Sequence, residues 1–378
     1  MALSPLFRKV SFDDLPGWRE DDKSSAFDAF RRSAFRFLEK PYRTGSLGIE
    51  ARAFSESYAA ARQHEKLAPA DAAAFFEEYF DPALILPGNG AQGLVTGFYE
   101  PEVEASPVRT DRFAMPLRFR PDDLVDIDDS NRPAGFDPYF AFGRQTQNGI
   151  VEYFDRSQIE QGALDGLGLE IAWLAEKVDA FFIHVQGAAR LKMIDGATRR
   201  VTYAAKTGHR FTGPGRILAE LGEIPLEKVT MQSIRAWFAA NPERVNRILW
   251  QNRSYIFFRE APVADDTLGP IAAAKVPLTP GRSVAVDRLL HTFGTPVFID
   301  SPTLLAFDGG TPFRRLMVAQ DTGSAITGPA RGDLFAGSGH AAGEIAGVVR
   351  HPADFYSLVP KALFYPRPAR PLAGERIA

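Results

Sequence analysis

The sequence predicts a mainly β protein led by a helical N-terminal segment. Three observations carry that reading. Apolar residues recur at helical spacing chiefly between residues 25 and 79. Most of the rest is short runs of β-branched and aromatic residues. Those runs are broken by turns drawn from 32 glycines and 28 prolines, a pattern that suits small barrels.

Taken in order, residues 1–20 read as an extended lead-in anchored by Phe7, Phe12 and Trp18. A helix follows from Ser25, with Phe27, Phe30, Ala34, Phe37 and Leu38 on one face and Pro41 ending it. Further helices are expected over Ser55–Glu65 and Pro69–Tyr79; proline at a helix start and again after its end fits the usual asymmetry. Gly88-Asn-Gly-Ala-Gln-Gly93 matches G-x-G-x-x-G but opens an alternating, strand-like run, so it is a turn and not a dinucleotide fingerprint. That run is Leu94 to Glu104, containing Val95-Thr96-Gly97-Phe98-Tyr99-Glu100-Pro101. Residues 106–150 are rich in Pro, Asp, Arg and Gly, and the acidic run Asp122–Asp129 lacks EF-hand spacing and reads as a solvated loop. Leu169–Leu174, Asp179–Gly187, Ala189–Met193 and Arg200–Ala204 read as short strands. Gly215–Gly222, Met231–Ala240 and a stretch after Asn241-Pro242 read as helices, the last capped by Asn241. Strands resume from Gln251 and again around Val286, Val297 and Leu316.

Composition narrows the function. A net charge of −3 argues against nucleic acid as the main partner, because phosphate binding needs a basic face. Without cysteine there is no disulfide, thiolate metal site, cysteine nucleophile or lipid-anchoring cysteine in this sequence. No apolar run approaches a membrane span of roughly 20 residues, and the N-terminus lacks the apolar core of a signal peptide. The six histidines form no His-Glu-x-x-His, and neither Gly-x-Ser-x-Gly nor a P-loop occurs. No cofactor or metal is expected. Carboxylate chemistry remains.

Its centre is Val318 to Gly339, where Asp321 and Asp333 stand among glycines. A strand through Leu316–Ala319 delivers Asp321 into a Gly-Ser turn, and Gly332-Asp333-Leu334-Phe335 brings Asp333 back. On spacing alone, a turn-capping Asp321 and an ordinary loop Asp333 fit equally well. The motifs say more. Ala285-Val286-Asp287, Asp321-Thr-Gly-Ser-Ala-Ile-Thr-Gly328 and Asp333-Leu-Phe-Ala-Gly337 resemble, in order, the signature of the three-aspartate (3D) domain. With Val95–Pro101, Gln186-Gly-Ala-Ala-Arg190 and Gln251–Glu260, the chain resembles the membrane-bound lytic murein transglycosylase A (MltA) family from about Gly93 to Val349. It departs from that family in lacking a lipoprotein cysteine, and in having Ala188-Ala189 where relatives commonly have Ser-Gly.

The resemblance implies a six-stranded double-psi β-barrel (residues 1–104 and 257–378, with the N-terminal helices). A smaller β-barrel, residues 105–256, would be inserted in it, with the substrate groove between the two. It implies cleavage of peptidoglycan glycan strands without water, Asp333 acting first as acid and then as base. Thr96, Gly97, Tyr99, Gln186, Gly187, Arg190, Lys206, Asp321 and Gly323 would line or shape the groove, and Asp287 would bond backbone amides. A periplasmic, outer-membrane-associated setting follows from the family, as do partners among cell-wall synthesis or remodelling proteins. Two other readings stay open: an inverting hydrolase with Asp321 positioning water, and a non-catalytic wall-polysaccharide binding module.

Overall fold

The computed structural model describes residues 2–262 and 265–365, so residues 366–378 of the first expected domain lie outside it. The lead-in contributes strand β1 (Phe7–Lys9), and helices α1 (Ser24–Glu39), α2 (Ser55–Gln63) and α3 (Pro69–Tyr79) follow. Their apolar faces interlock edge to face, with Phe27 against Phe75 at 5.0 Å and Phe30 against Phe76 at 5.7 Å between ring centroids. Phe298, Leu316, Val318, Tyr356 and Leu358 join this cluster, so the helices are sealed onto the outside of a sheet.

That sheet is built from both ends of the chain. Strand β2 (Phe80–Ile85) leads through a turn at Gly88–Gly90 into β3 (Gly93–Glu100). After a long excursion the chain returns as β13 (Ser283–Val286), β14 (Pro296–Ser301), β15 (Phe313–Asp321), β16 (Arg331–Ser338) and β17 (Arg350–Pro360). Six of these strands close a ring: β17–β14–β15–β13–β16–β3, and β3 pairs back to β17. Two contacts in it are parallel, β13 with β15 and β16 with β3. Val95, Val284, Val286, Val297, Ile299, Met317, Ala319, Leu334 and Phe355 fill the interior. Alternation along a strand then turns Thr96, Ala285 and Asp333 to the outside.

The excursion makes the second body. Strands β4 (Glu102–Ser106), β5 (Met115–Arg118), β9 (Glu170–Leu174), β10 (Ala188–Met193), β11 (Thr198–Lys206) and β12 (Ile256–Ala261) form a sheet ordered β12-β11-β10-β4-β9-β5. A bridge between Phe119 and Phe258 draws its two edges together. Strands β6 (Leu124–Asp126), β7 (Phe142–Thr146) and β8 (Gly149–Val151) form a small separate sheet, followed by a helical turn, α4 (Arg156–Gln158).

One segment departs from expectation. Asp179–Gly187, read as a strand, lies in helix α5 (Lys177–Gln186), so His184 is helical too. The reason is visible in the sequence: Val178, Phe181, Phe182 and Val185 repeat at helical spacing. Gly187, at φ 77°, ends the helix and donates its N–H to the Ile183 carbonyl at 2.8 Å. Helices α6 (Pro214–Glu220), α7 (Met231–Ala240) and α8 (Val245–Leu249) follow as expected. Asn241, however, makes no side-chain cap; its amide donates instead to the Trp237 carbonyl at 2.9 Å. Helix α9 (Gly339–Ala346) joins β16 to β17 and lies against β3. Among the described residues, no helix is long and apolar enough to cross a membrane.

Candidate active site

The register of the ring lays out the site. Ala285 on β13 is the partner of Asp321 on one side and of Asp333 on the other. Asp333 is in turn paired with Thr96 on β3, and Thr96 with Arg350 on β17. A single row thus crosses five strands: Asp321, Ala285, Asp333, Thr96, Arg350. Alanine at the centre adds no bulk between the two carboxylates.

Asp333 is half-buried. The Thr96 hydroxyl is hydrogen-bonded to its Oδ1, and Arg331 Nη2 donates to Thr96 Oγ1 at 2.8 Å. Arg331 is itself pinned through Nη1 to the Gly332 carbonyl. Removal from water pushes the Asp333 carboxyl above its ordinary value of 3.8, while the bond from Thr96 and the charge of Arg331 pull the other way. Asp321 ends β15 and accepts from the Ala273 N–H at 3.2 Å. Its carboxyl is pushed up to about 6, by burial first and by the charge of Asp333 in addition, against backbone N–H donors and Lys275. Lys275, in the loop that serves Asp321, holds φ 62°, a left-handed conformation unusual for a side-chain-bearing residue. The pair therefore favours protonated carboxyls at a pH where surface aspartates are ionised.

The other expected site residues fall into separate groups. Tyr99 is buried, and its backbone N–H donates to Gln186 Oε1 at 3.1 Å, tying β3 to the end of α5. Gly187 caps that helix, and its carbonyl accepts from the Tyr203 N–H at 2.7 Å. Lys206 lies over the Tyr139 ring, 5.1 Å from its centroid. Gly323 sits in the turn after β15, its carbonyl accepting from the Ile326 N–H at 3.0 Å. Asp287 accepts from the N–H groups of Leu289 at 3.0 Å and Gly328 at 2.9 Å, joining the end of β13 to the turn before β16. At Gly97 a Cβ would lie 2.9 Å from the Ala346 Cα and 3.0 Å from Val349 Cγ2, so the close approach that requires glycine is that of helix α9.

Arg190 is buried and works within a charge cluster. Its Nε donates to Glu100 Oε2 at 2.9 Å, Arg200 Nε donates to Glu100 Oε1 at 2.7 Å, and Ser338 Oγ donates to Oε2 at 2.7 Å. Arg190 and Arg200 also donate to the Leu268 carbonyl, each at 2.9 Å. Glu100 ends β3, where the chain leaves the first barrel, and Leu268 lies where it returns; both crossings are tied to one carboxylate. Sequence reasoning missed Glu100, Arg200, Arg331 and Ser338. Arg331, two residues before Asp333 on a strand, was the one with a legible signal, since such residues share a face.

Comparison with known proteins bears on the fold that carries these residues. Residues 94–259 match the family model described as MltA specific insert domain, and residues 282–359 match the 3D domain. The fold matches a crystal structure of membrane-bound lytic murein transglycosylase from Agrobacterium tumefaciens with a TM-score of 0.89 and 53% identity, covering 94% of this chain and 98% of that one. It matches Escherichia coli MltA with bound chitohexaose with a TM-score of 0.66 and 25% identity, covering 89% and 90% of the two chains. The membrane-bound lytic murein transglycosylase A of Vibrio cholerae is 32% identical over 274 residues, which span 70% of this chain and 66% of that protein's length. The six-stranded ring is accordingly a double-psi β-barrel and the second body its inserted domain.

Proposed function

Because the chain belongs to the MltA family, we propose that it is a peptidoglycan lytic transglycosylase that cleaves the MurNAc–GlcNAc β-1,4 bond with Asp333 as its single acid and base. The observation that carries this is the half-buried Asp333 carboxyl, raised in pKa and held by Thr96 through one oxygen, which leaves the other for substrate. In the first step protonated Asp333 gives its proton to the glycosidic oxygen as the C1–O bond breaks. In the second, the carboxylate takes the proton of the C6 hydroxyl on the same muramyl sugar while O6 attacks C1. The C1–O6 bond closes a 1,6-anhydro ring, Asp333 regains its proton, and no water is consumed. An internal nucleophile already at bonding distance gives the effective concentration this closure needs.

In this reading residues 1–104 and 257–378 form the catalytic domain and 105–256 the glycan-holding insert, with Lys206 and Gly187 on the insert side of the groove. Asp321 shapes the site, and its own carboxyl is pushed up by burial first and by the charge of Asp333 in addition. The protein acts in the periplasm, in line with relatives named as membrane-bound murein transglycosylases. Mass spectrometry of products from purified sacculi tests the proposal. Muropeptides with 1,6-anhydro ends, absent with Asp333→Asn, are expected; reducing ends would make the protein a hydrolase, and bound but uncleaved sacculi a binding module.

A further inference from the structure

We propose that Arg331 is a positioning residue that acts through Thr96 to fix which oxygen of Asp333 carries the catalytic proton. The inference rests on the reading of Asp333 as the acid and adds a residue to it.

A guanidinium can only donate, so in the 2.8 Å contact between Arg331 Nη2 and Thr96 Oγ1 the threonine oxygen is the acceptor. Among the described residues, Thr96 Oγ1 has one other partner, Asp333 Oδ1. The threonine carries one hydroxyl hydrogen. If Asp333 held its proton on Oδ1 and donated it to Thr96, the threonine hydrogen would point into a half-buried site without a partner. That arrangement is the costlier one. The chain Arg331→Thr96→Asp333 Oδ1 pairs both the guanidinium and the threonine hydroxyl, so Oδ1 is kept as acceptor and Oδ2, the oxygen left for substrate, carries the acid proton.

Arg331 is built to hold this direction. It opens β16 two residues before Asp333, and its Nη1 is fixed to the neighbouring Gly332 carbonyl. The other charged groups near the row are Asp321, Lys275 beside Asp321, and Arg350 on β17 next to Arg331. From β13 the facing residue is Ala285, which does not titrate. Arg331 polarises the threonine hydroxyl and so favours the carboxylate, while burial favours the acid. Removing either Arg331 or Thr96 therefore raises the pKa of Asp333 and frees its carboxyl to rotate.

The test is the rate of muropeptide release from sacculi across a pH series, with thermal melting as a check on folding. Arg331→Met and Thr96→Val should each slow release roughly tenfold or more. Each should also move the alkaline limb of the profile up by about one pH unit. The double variant should move it by less than the sum of the two single shifts, because part of the arginine's effect passes through the threonine while its charge also acts on Asp333 directly. Arg331→Lys and Thr96→Ser, which keep a donor and a hydroxyl, should bring the limb back toward wild type. An alkaline limb unmoved in Arg331→Met, or equal in Thr96→Val and Thr96→Ser, or additive shifts in the double variant, overturns the positioning role. Cleavage that persists in Asp333→Asn would instead overturn the assignment of the acid, so the two failures are separable.

Discussion

Asp321 and Asp333 flank Ala285 as its register partners on neighbouring strands, which sets two carboxylates at one position of the barrel wall. Burial of Asp321, with the charge of Asp333 added to it, makes a stability cost that depends on pH. Asp321 titrates at about 6 in the folded protein against 3.8 for the free group. Below the lower value both states hold the proton. As pH rises between the two, only the unfolded chain releases it, so stability falls and then levels above the higher value. Asp321→Asn, whose amide oxygen still accepts from Ala273, should abolish this slope. It should be more stable than wild type at neutral pH by roughly 2–3 kcal/mol and nearly equal to it in acid. Urea unfolding at the two pH values measures the difference; a parallel loss in both would contradict it.

Glu100 holds the two barrels together. It is fully buried, with Arg190, Arg200 and Ser338 as partners. Glu100→Ala leaves two buried guanidinium groups without their carboxylate and should cost roughly 3–5 kcal/mol. Breaking the exposed Arg216–Glu220 pair by Glu220→Ala should leave the melting temperature close to wild type, because water screens both charges. Thermal denaturation of the two variants gives the comparison.

Helix α9 fits against β3 only because position 97 has no side chain. Gly97→Ala should destabilise by about 1–3 kcal/mol, since the neighbours it meets are backbone as well as side chain. It should also lower activity, because Thr96 is the preceding residue. Gly88→Ala, where a Cβ would meet open space, should change neither. Melting temperature and sacculus digestion report both effects.

Much of this was legible in the sequence, for reasons that differ by element. The N-terminal helices show long phenylalanine stripes with proline at their ends, and such periodicity survives any tertiary context. The double-psi barrel and its insert were legible through ordered motifs rather than propensity, since strands of three to eleven residues carry little periodic signal each. Helix α5 was misread because Phe181, Phe182, Ile183 and Val185 form an apolar run broken only by His184. Such a run has the composition of a buried strand, and only the spacing and Gly187 distinguish the two. The site divides the same way. Asp333, Asp321 and Thr96 follow from motifs. Glu100 with Arg190 and Arg200, and Arg331 with Thr96, are contacts between residues up to 235 positions apart, and no local pattern encodes them.

The central claim is that Asp333 drives ring closure by the sugar's own hydroxyl and not attack by water. Digestion of purified sacculi in water enriched in heavy oxygen tests this most directly, read by the mass of the newly formed muropeptide ends. Closure of the 1,6-anhydro ring predicts products free of the label and one water lighter than hydrolysis products. Heavy oxygen at C1 of the released muramyl residue would contradict the account.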